Sequence, residues 1–138
     1  MSEHEYQRVR SVMTAAPRII DGLAPVSQAI ELMRDNRVSS LIIDRRHEGD
    51  EYGMVAVHDI AEKVIAKDRS AERTSVYEIM SKPVLTVDVE MDIKYAIRLL
   101  TRFKLTRALV TENGDMVGIV TLRDMAIRYS DDSEEDGS

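Results

Sequence analysis

The chain has 138 residues, of which 43% are hydrophobic and 32% are charged, a balance typical of a small globular protein. It contains no cysteine, so disulfides, thiolate metal sites and cysteine nucleophiles are excluded, and its three dispersed histidines do not predict a zinc site. Aromatic residues reach only 4%, and no apolar run approaches the roughly 20 residues that span a bilayer. We therefore expect a cytoplasmic protein with neither nucleic-acid nor membrane partners.

The first half of the chain predicts one small mixed unit. After an opening segment, an extended stretch precedes a helix in which apolar residues recur at positions 26, 29, 30 and 33. Two strands joined by a polar loop at residues 45–51 come next, and a second helix completes the unit. The predicted extended stretch, strands and second helix cover residues 18–20, 40–44, 53–57 and 58–66.

The second half repeats this order. Val-Met-Thr at 12–14 returns as Ile-Met-Ser at 79–81, and Gly-Met-Val-Ala-Val-His-Asp at 53–59 returns as Gly-Ile-Val-Thr-Leu-Arg-Asp at 118–124. Asn113-Gly114 predicts a tight turn between the second pair of strands. The matching extended stretch, strands and helix are predicted at residues 84–87, 108–111, 116–121 and 122–129.

The predicted organisation is a first repeat at 9–67, a linker at 68–75, a second repeat at 76–130 and a tail at 131–138. The tail holds five acids and no base, which predicts disorder. One β-α-β-β-α repeat is too short to bury an adequate core alone. We therefore predict an α/β fold in which the two repeats pack through their sheets with pseudo-twofold symmetry, leaving two related clefts.

The repeated motifs resemble those of the CBS domain, named after cystathionine β-synthase, in its tandem form. The resemblance rests on the Val/Ile-Met-Thr/Ser opening, the Ala-Ile pair of the first helix and the Gly-to-Asp ending, and it covers residues 9–130. It implies a regulatory module, not an enzyme, that binds an adenosine-containing ligand such as AMP, ADP, ATP, NAD or S-adenosylmethionine. It also implies a homodimer that regulates an unidentified partner protein, with no required cofactor.

Thr121 and Asp124 form the sharpest candidate site. A carboxylate at the start of a helix can accept hydrogen bonds from both ribose hydroxyls, and the helix N-terminus favours nearby negative charge. The resemblance implies ribose contacts for these two residues. The same Thr-x-x-Asp pattern is also a helix-capping box, and the two roles are compatible. Arg107 and Arg123 are candidates for phosphate contacts, with solvated surface charge as the alternative.

The resemblance also implies that adenine lies beside the first short strand, at Leu85 and Thr86 in the second repeat and at Ile19 and Ile20 in the first. These residues could equally be ordinary core residues of the strands, with no contact to a ligand. In the first repeat Ala56 replaces the threonine, so Asp59 is either a weakened ribose contact or an ordinary helix acid. His58 and Arg37 are the corresponding phosphate candidates.

The sequence leaves two functions open and gives no support to a third. The first is a sensor with one good site, in the second repeat, and one weak or empty site. The second is an oligomerisation or protein-interaction module that has lost its ligand, which Ala56 favours. The third, an unrecognised enzyme, finds no support because no glycine-rich phosphate loop or catalytic pairing is visible.

Overall fold

The computed structural model describes residues 6–15, 17–82 and 84–137, with the side chains of residues 132–137 excepted. The chain divides into two compact units whose limits differ from those of the sequence repeats. Unit 1 consists of the chain up to Pro17 and from Leu85 onward, and unit 2 consists of residues 18–84. Each unit therefore combines the body of one repeat with the opening segment of the other.

Unit 2 is built on a three-stranded sheet in the order β2-β3-β4. Strand β2 runs parallel to β3, and β3 runs antiparallel to β4. All four residues of β3 are buried, which explains the unbroken apolar run of this strand. The elements of unit 2 are β2 (Ile19–Ile20), α1 (Val26–Asn36), β3 (Ser40–Ile43), β4 (Gly53–Ala56) and α2 (Val57–Ile60), which continues as a π-helix over Ala61–Ile65.

The opening segment of the second repeat completes unit 2. A 3-10 helix at Val76–Glu78 precedes a bridge in which Ser81 exchanges two backbone hydrogen bonds with Met54 of β4. Val76 and Ile79 are at most 1% exposed and belong to the same core cluster as the buried face of α1. The segment therefore supplies both an extra strand edge and part of the core.

Unit 1 is built on a four-stranded sheet in the order β1-β7-β6-β5. Strand β1 belongs to the opening segment of the first repeat and pairs antiparallel with β7, and Val9 of the same segment lies in the core. Asn113 and Gly114 both have positive φ angles at the β6–β7 turn, as the tight-turn motif predicts. The elements are β1 (Thr14–Ala15), β5 (Thr86–Asp88), α3 (Ile93–Arg102), β6 (Arg107–Glu112), β7 (Asp115–Thr121) and α4 (Leu122–Gly137).

The mixed α/β fold with two repeats is confirmed, and one segment differs from its sequence prediction. Helix α4 continues to Gly137, through the acidic segment that the composition predicts as disordered, while Ser138 lies outside the described residues. Pro83, two residues after the Ile-Met-Ser motif, also lies outside them. Within the described ranges, no helix combines the length and hydrophobicity that crossing a membrane would require.

Candidate functional site

Six of the predicted site residues lie at one end of the sheet of unit 1. Arg107 is the first residue of β6 and pairs with Thr121, the last residue of β7. Strand β5 is parallel to β6, so Thr86 and Leu85 lie at the same end, where the Leu85 carbonyl accepts a hydrogen bond from the Leu109 amide at 2.9 Å. Helix α4 starts directly after Thr121, which brings Arg123 and Asp124 to this end as well.

Thr121 caps the helix that carries Asp124. The Asp124 amide donates a hydrogen bond to the Thr121 hydroxyl at 3.0 Å, so the predicted capping role is present. The Asp124 side chain is 42% exposed, and its Oδ1 lies 3.5 Å from Nη1 of the exposed Arg123. The Asp124 carboxylate is therefore open to solvent, with the positive charge of the Arg123 guanidinium beside it.

Asp59 is used differently at the matching place in unit 2. Ala56 has no side-chain oxygen, and the Asp59 carboxylate instead accepts a hydrogen bond from the Ala56 amide at 2.8 Å. The other carboxylate oxygen lies 3.8 Å from the Lys63 ammonium, and the side chain is only 16% exposed. The Asp59 carboxylate therefore interacts with donors of its own helix start and is little exposed to solvent.

The phosphate candidates of the first repeat are His58 and Arg37. His58 is 81% exposed and contacts Glu62 at 2.8 Å. Arg37 follows α1 and has a left-handed backbone conformation. Lys104 has the same conformation after α3, so Lys104 is the counterpart of Arg37 in unit 1. The sheet position of Arg107 is held in unit 2 by Ser40, which pairs with Ala56.

The strand register also fixes which of the residues predicted to lie beside adenine correspond between the units. Ile19 pairs with Ile42 in unit 2, and Thr86 pairs with Leu109 in the same way in unit 1. Thr86 therefore matches Ile19, which is 48% exposed, whereas Ile20 is 3% exposed and lies in the core. Only Ile19 presents its side chain to the outside of the unit.

A cavity that the sequence did not predict lies within unit 2. It has a volume of about 660 Å³ and is lined by the ends of β2 and β3, the 45–51 loop and residues 77–82. It is at the opposite end of the sheet from Ala56 and Asp59, because β4 begins where β3 ends. Sequence reasoning had one usable signal, the greater length of this loop in the first repeat.

Asp50 is the best-anchored acid of that cavity. Its carboxylate lies 2.6 Å from the Lys82 ammonium and accepts a hydrogen bond from the Arg46 amide at 3.0 Å. The Lys82 contact and the backbone amides of Arg46 and Glu51 hold the pKa of Asp50 far below its ordinary value. Asp50 therefore fastens the loop to the second opening segment.

The model of the CBS domain family matches residues 9–66 and 76–131. A Methanopyrus kandleri protein, MK0525, is 31% identical over 83% of this chain, which spans 60% of that relative's length. The hexameric CBS-CP12 protein from bloom-forming cyanobacteria superposes with a TM-score of 0.85 at 33% identity, over 90% of this chain and 72% of its own. The CBS domain pair of MJ0100, solved in complex with 5-methylthioadenosine and S-adenosyl-L-methionine, superposes at 0.79 and 19% identity, over 92% and 98% of the chains.

Proposed function

Because the chain belongs to the CBS domain family, we propose that it is a regulatory module that binds an adenosine-containing ligand at the Thr121–Asp124 end of unit 1. One observation carries the proposal. The Asp124 carboxylate is 42% exposed on the helix start that Thr121 caps, where it can accept hydrogen bonds from both hydroxyls of a ribose.

The surroundings of Asp124 suit the rest of such a ligand. Arg123 and Arg107 bring positive charge to the same strand ends for a phosphate or a carboxylate. The exposed Thr86 and the half-buried Leu85 offer an edge for adenine at the start of β5. The ligands in the MJ0100 complex share an adenosine moiety and support this ligand class, which also includes AMP, ADP, ATP and NAD.

The proposal assigns one working site per chain. In unit 2 the Asp59 carboxylate already accepts a hydrogen bond from the Ala56 amide and its side chain is only 16% exposed, so less of it is accessible to a ribose. We propose a regulatory role and not a catalytic one, and the family membership and the exposed Asp124 carboxylate, which can accept hydrogen bonds from hydroxyls, support it. The chain acts on a separate partner protein when ligand binding favours one of its conformations.

We further propose association into a homodimer through the helices. An apolar groove of about 340 Å³ runs along α1 and α2 of unit 2, where Val57 is 51% exposed and Ile65 is 65% exposed. Such exposed apolar residues, clustered on one face, are typical of surfaces that associate. Sedimentation of the wild type and of Ile65→Lys tests this, because a charged residue in the groove should shift the protein toward monomer.

The test of the ligand site is calorimetric and thermal titration with AMP, ADP, ATP, NAD and S-adenosylmethionine. A ligand at about 100 times its dissociation constant should stabilise the wild type by about 2.7 kcal/mol and raise the unfolding midpoint by several degrees. Asp124→Asn should lose this shift. The matched variant Asp59→Asn should keep the ligand-induced shift of the midpoint, because the Asp59 carboxylate is engaged by the Ala56 amide.

Equal affinity in the wild type and Asp124→Asn would show that the site is placed wrongly. Absence of binding by all five compounds would favour the ligand-free interaction module instead. In that case partner binding and oligomeric state should not respond to any of them.

A further inference from the structure

The cavity of unit 2 is a separate feature from the Asp124 site. Its apolar part includes Ile19 and Leu23, which are 48% and 83% exposed, and the ring of Tyr77. Its volume of about 660 Å³ falls within the roughly 300–1,000 Å³ of ordinary small-molecule pockets. An apolar wall with a few polar groups at its rim is the usual form of such a site.

The same location in unit 1 can be identified by its hydrogen bonds. The Leu23 amide donates to the Asp21 carboxylate at 2.8 Å, and the Glu90 amide donates to the Asp88 carboxylate at 2.9 Å, so Leu23 corresponds to Glu90. The Tyr77 amide donates to the Gly22 carbonyl at 2.8 Å, and the Arg10 amide donates to the Val89 carbonyl at 3.0 Å. Tyr77 therefore corresponds to Arg10.

Ion pairs occupy that location in unit 1. The Arg10 guanidinium contacts Glu90 at 3.2 Å and also pairs with Glu112 at the end of β6. By the same register Glu112 corresponds to Arg45 in unit 2. Two acids and one base in unit 1 are thus replaced by Leu23, Arg45 and Tyr77. The replacement removes negative charge and exposes apolar surface.

The acids that line the cavity already have protein donors. Asp21 accepts the Leu23 amide at 2.8 Å and Asp44 accepts the Arg45 amide at 2.7 Å, while Asp50 is held by Lys82. Because these contacts already stabilise the three carboxylates, a cationic ligand would gain less from them. The lining bases equal the acids in number, because Arg45, Arg46 and Lys82 stand against the three aspartates.

The Arg46 guanidinium has more N–H donors than its contacts within the protein use. Its guanidinium carbon lies 5.0 Å from the centre of the Tyr77 ring, and its Nη2 donates to the Tyr77 hydroxyl at 3.1 Å. Its Nε is 3.7 Å from Asp50, and the side chain is 69% exposed. A guanidinium has five N–H donors arranged to hold a carboxylate with two of them, so this group can take an anionic ligand while it stays stacked on Tyr77.

We propose that this cavity binds a small organic monoanion, a carboxylate with a ring-sized apolar body. The carboxylate lies on Arg46, and the body packs between Leu23, Ile19 and the Tyr77 ring. The equal number of acids and bases in the lining disfavours a polyphosphate, whose several negative charges would face three aspartates. This proposal does not depend on adenosine binding in unit 1.

The experiment is a titration of the full-length, uniformly ¹⁵N-labelled chain with indole-3-acetate, followed by amide chemical shifts. We expect shifts centred on Gly22, Leu23, Arg45 and Arg46, with a dissociation constant of about 1 mM or below. Tryptamine, which has the same ring and a positive charge, should cause no shifts there. Saturation with the best adenosine ligand should leave the indole-3-acetate affinity unchanged.

Two variants and one control test the contacts. Leu23→Glu places the unit 1 residue at an 83% exposed position, and Arg46→Gln removes the guanidinium, so each should weaken binding about tenfold without unfolding the protein. The control Arg98→Gln removes an exposed arginine stacked 5.3 Å from Tyr95 in unit 1 and should leave binding unchanged.

Three outcomes would overturn the proposal. They are equal binding by tryptamine, equal weakening in all three variants, and the absence of shifts near Leu23 up to the solubility limit of the probe. Each can arise whether or not Asp124 binds a nucleotide, so failure here is distinguishable from failure of the proposed function.

Discussion

Residues 56 and 121 hold the same place in the two repeats, but only 121 has a hydroxyl, and the carboxylate three positions later makes different contacts in each repeat. With Thr121 as the cap, Asp124 keeps an exposed carboxylate. With alanine at 56, the Asp59 carboxylate itself bonds the backbone. The two bonds satisfy different amide groups of the helix start. The Thr121 hydroxyl accepts a hydrogen bond from the Asp124 amide, whereas the Asp59 carboxylate accepts one from the Ala56 amide, and alanine offers no oxygen to the Asp59 amide.

Ala56→Thr should stabilise the chain by about 1 kcal/mol, because it supplies a capping oxygen to the Asp59 amide. The backbone at 56 already has the extended geometry of a capping residue, with φ −117° and ψ 163°. Urea unfolding measures the gain. The control Ala126→Thr places the same side chain on an exposed face within α4 and should be slightly destabilising, because threonine is a poorer helix former than alanine. Equal effects of the two variants would contradict the capping explanation.

Asp50 gives the stability of the chain a specific pH dependence. Because its pKa is lowered in the folded protein, chiefly by Lys82, its contribution is fully present well above the ordinary carboxyl pKa of 3.8. The contribution is lost progressively as the pH falls below that value toward the depressed pKa. Asp50→Asn and Lys82→Gln should each make the unfolding free energy less dependent on pH in this acidic range, measured by urea unfolding. A profile as steep as that of the wild type would exclude the ion pair as the cause.

At the scale of elements, the hydrophobic pattern predicts the helices and the longer strands well. The buried apolar set of α1 and the run of β3 follow from spacing alone, because burial imposes a period on a sequence. The two-residue β1 has no period to detect, and both its residues are exposed. Its strand character comes from pairing with β7, which is distant in sequence and therefore invisible to a local pattern.

The candidate sites divide in the same way. Thr121 and Asp124 are three residues apart on one strand-to-helix junction, so their motif is readable in the sequence. The 660 Å³ cavity is assembled from three stretches, 19–23, 43–50 and 77–82, and no local pattern predicts that they meet. The sequence also does not show that the Asp124 carboxylate is exposed while the Asp59 carboxylate accepts a backbone hydrogen bond. This difference is visible only in the structure.

The pairing of the opening segments with the sheets makes two equivalent glycines unequal. A Cβ at Gly118 would lie 2.7 Å from the Thr14 carbonyl oxygen, which belongs to the paired backbone of β1. A Cβ at Gly53 would lie 2.7 Å from the sulfur of Met80, the flexible end of a side chain.

Gly118→Ala should therefore destabilise the chain by about 1–3 kcal/mol, and Gly53→Ala should cost clearly less. Urea unfolding of both variants gives the comparison, with each serving as the control of the other. Hydrogen exchange should also show faster exchange in β1 for Gly118→Ala, because the backbone pair must separate. The reverse order of stability would mean that β1 is not held as described.

At the scale of the whole molecule, the folding units are not the sequence repeats. The core of unit 2 includes Val76 and Ile79, which belong to the second repeat, and the core of unit 1 includes Val9 from the first. A fragment that ends at the repeat boundary therefore lacks side chains that are at most 1% exposed in the folded chain. Loss of a single large core side chain already costs about 2–5 kcal/mol.

Two fragments of equal length test this organisation. Residues 18–84 contain all of unit 2 and should show cooperative unfolding. Residues 1–67 contain the first repeat without the opening segment of the second repeat, which completes the core of unit 2, and should not. Circular dichroism during urea titration distinguishes them. Similar behaviour of the two fragments would show that the opening segments contribute little to the core.

Unit 2 is continuous in the chain, while unit 1 is interrupted by it. On the ribosome, residues 6–15 emerge before unit 2, but their partners at residues 89–93 and in β7 are synthesised after it. Unit 2 can close as soon as residue 84 has left the exit tunnel, since domains fold as units during synthesis. The opening segment of the first repeat must therefore remain without its sheet partners until the chain beyond Leu85 has been synthesised.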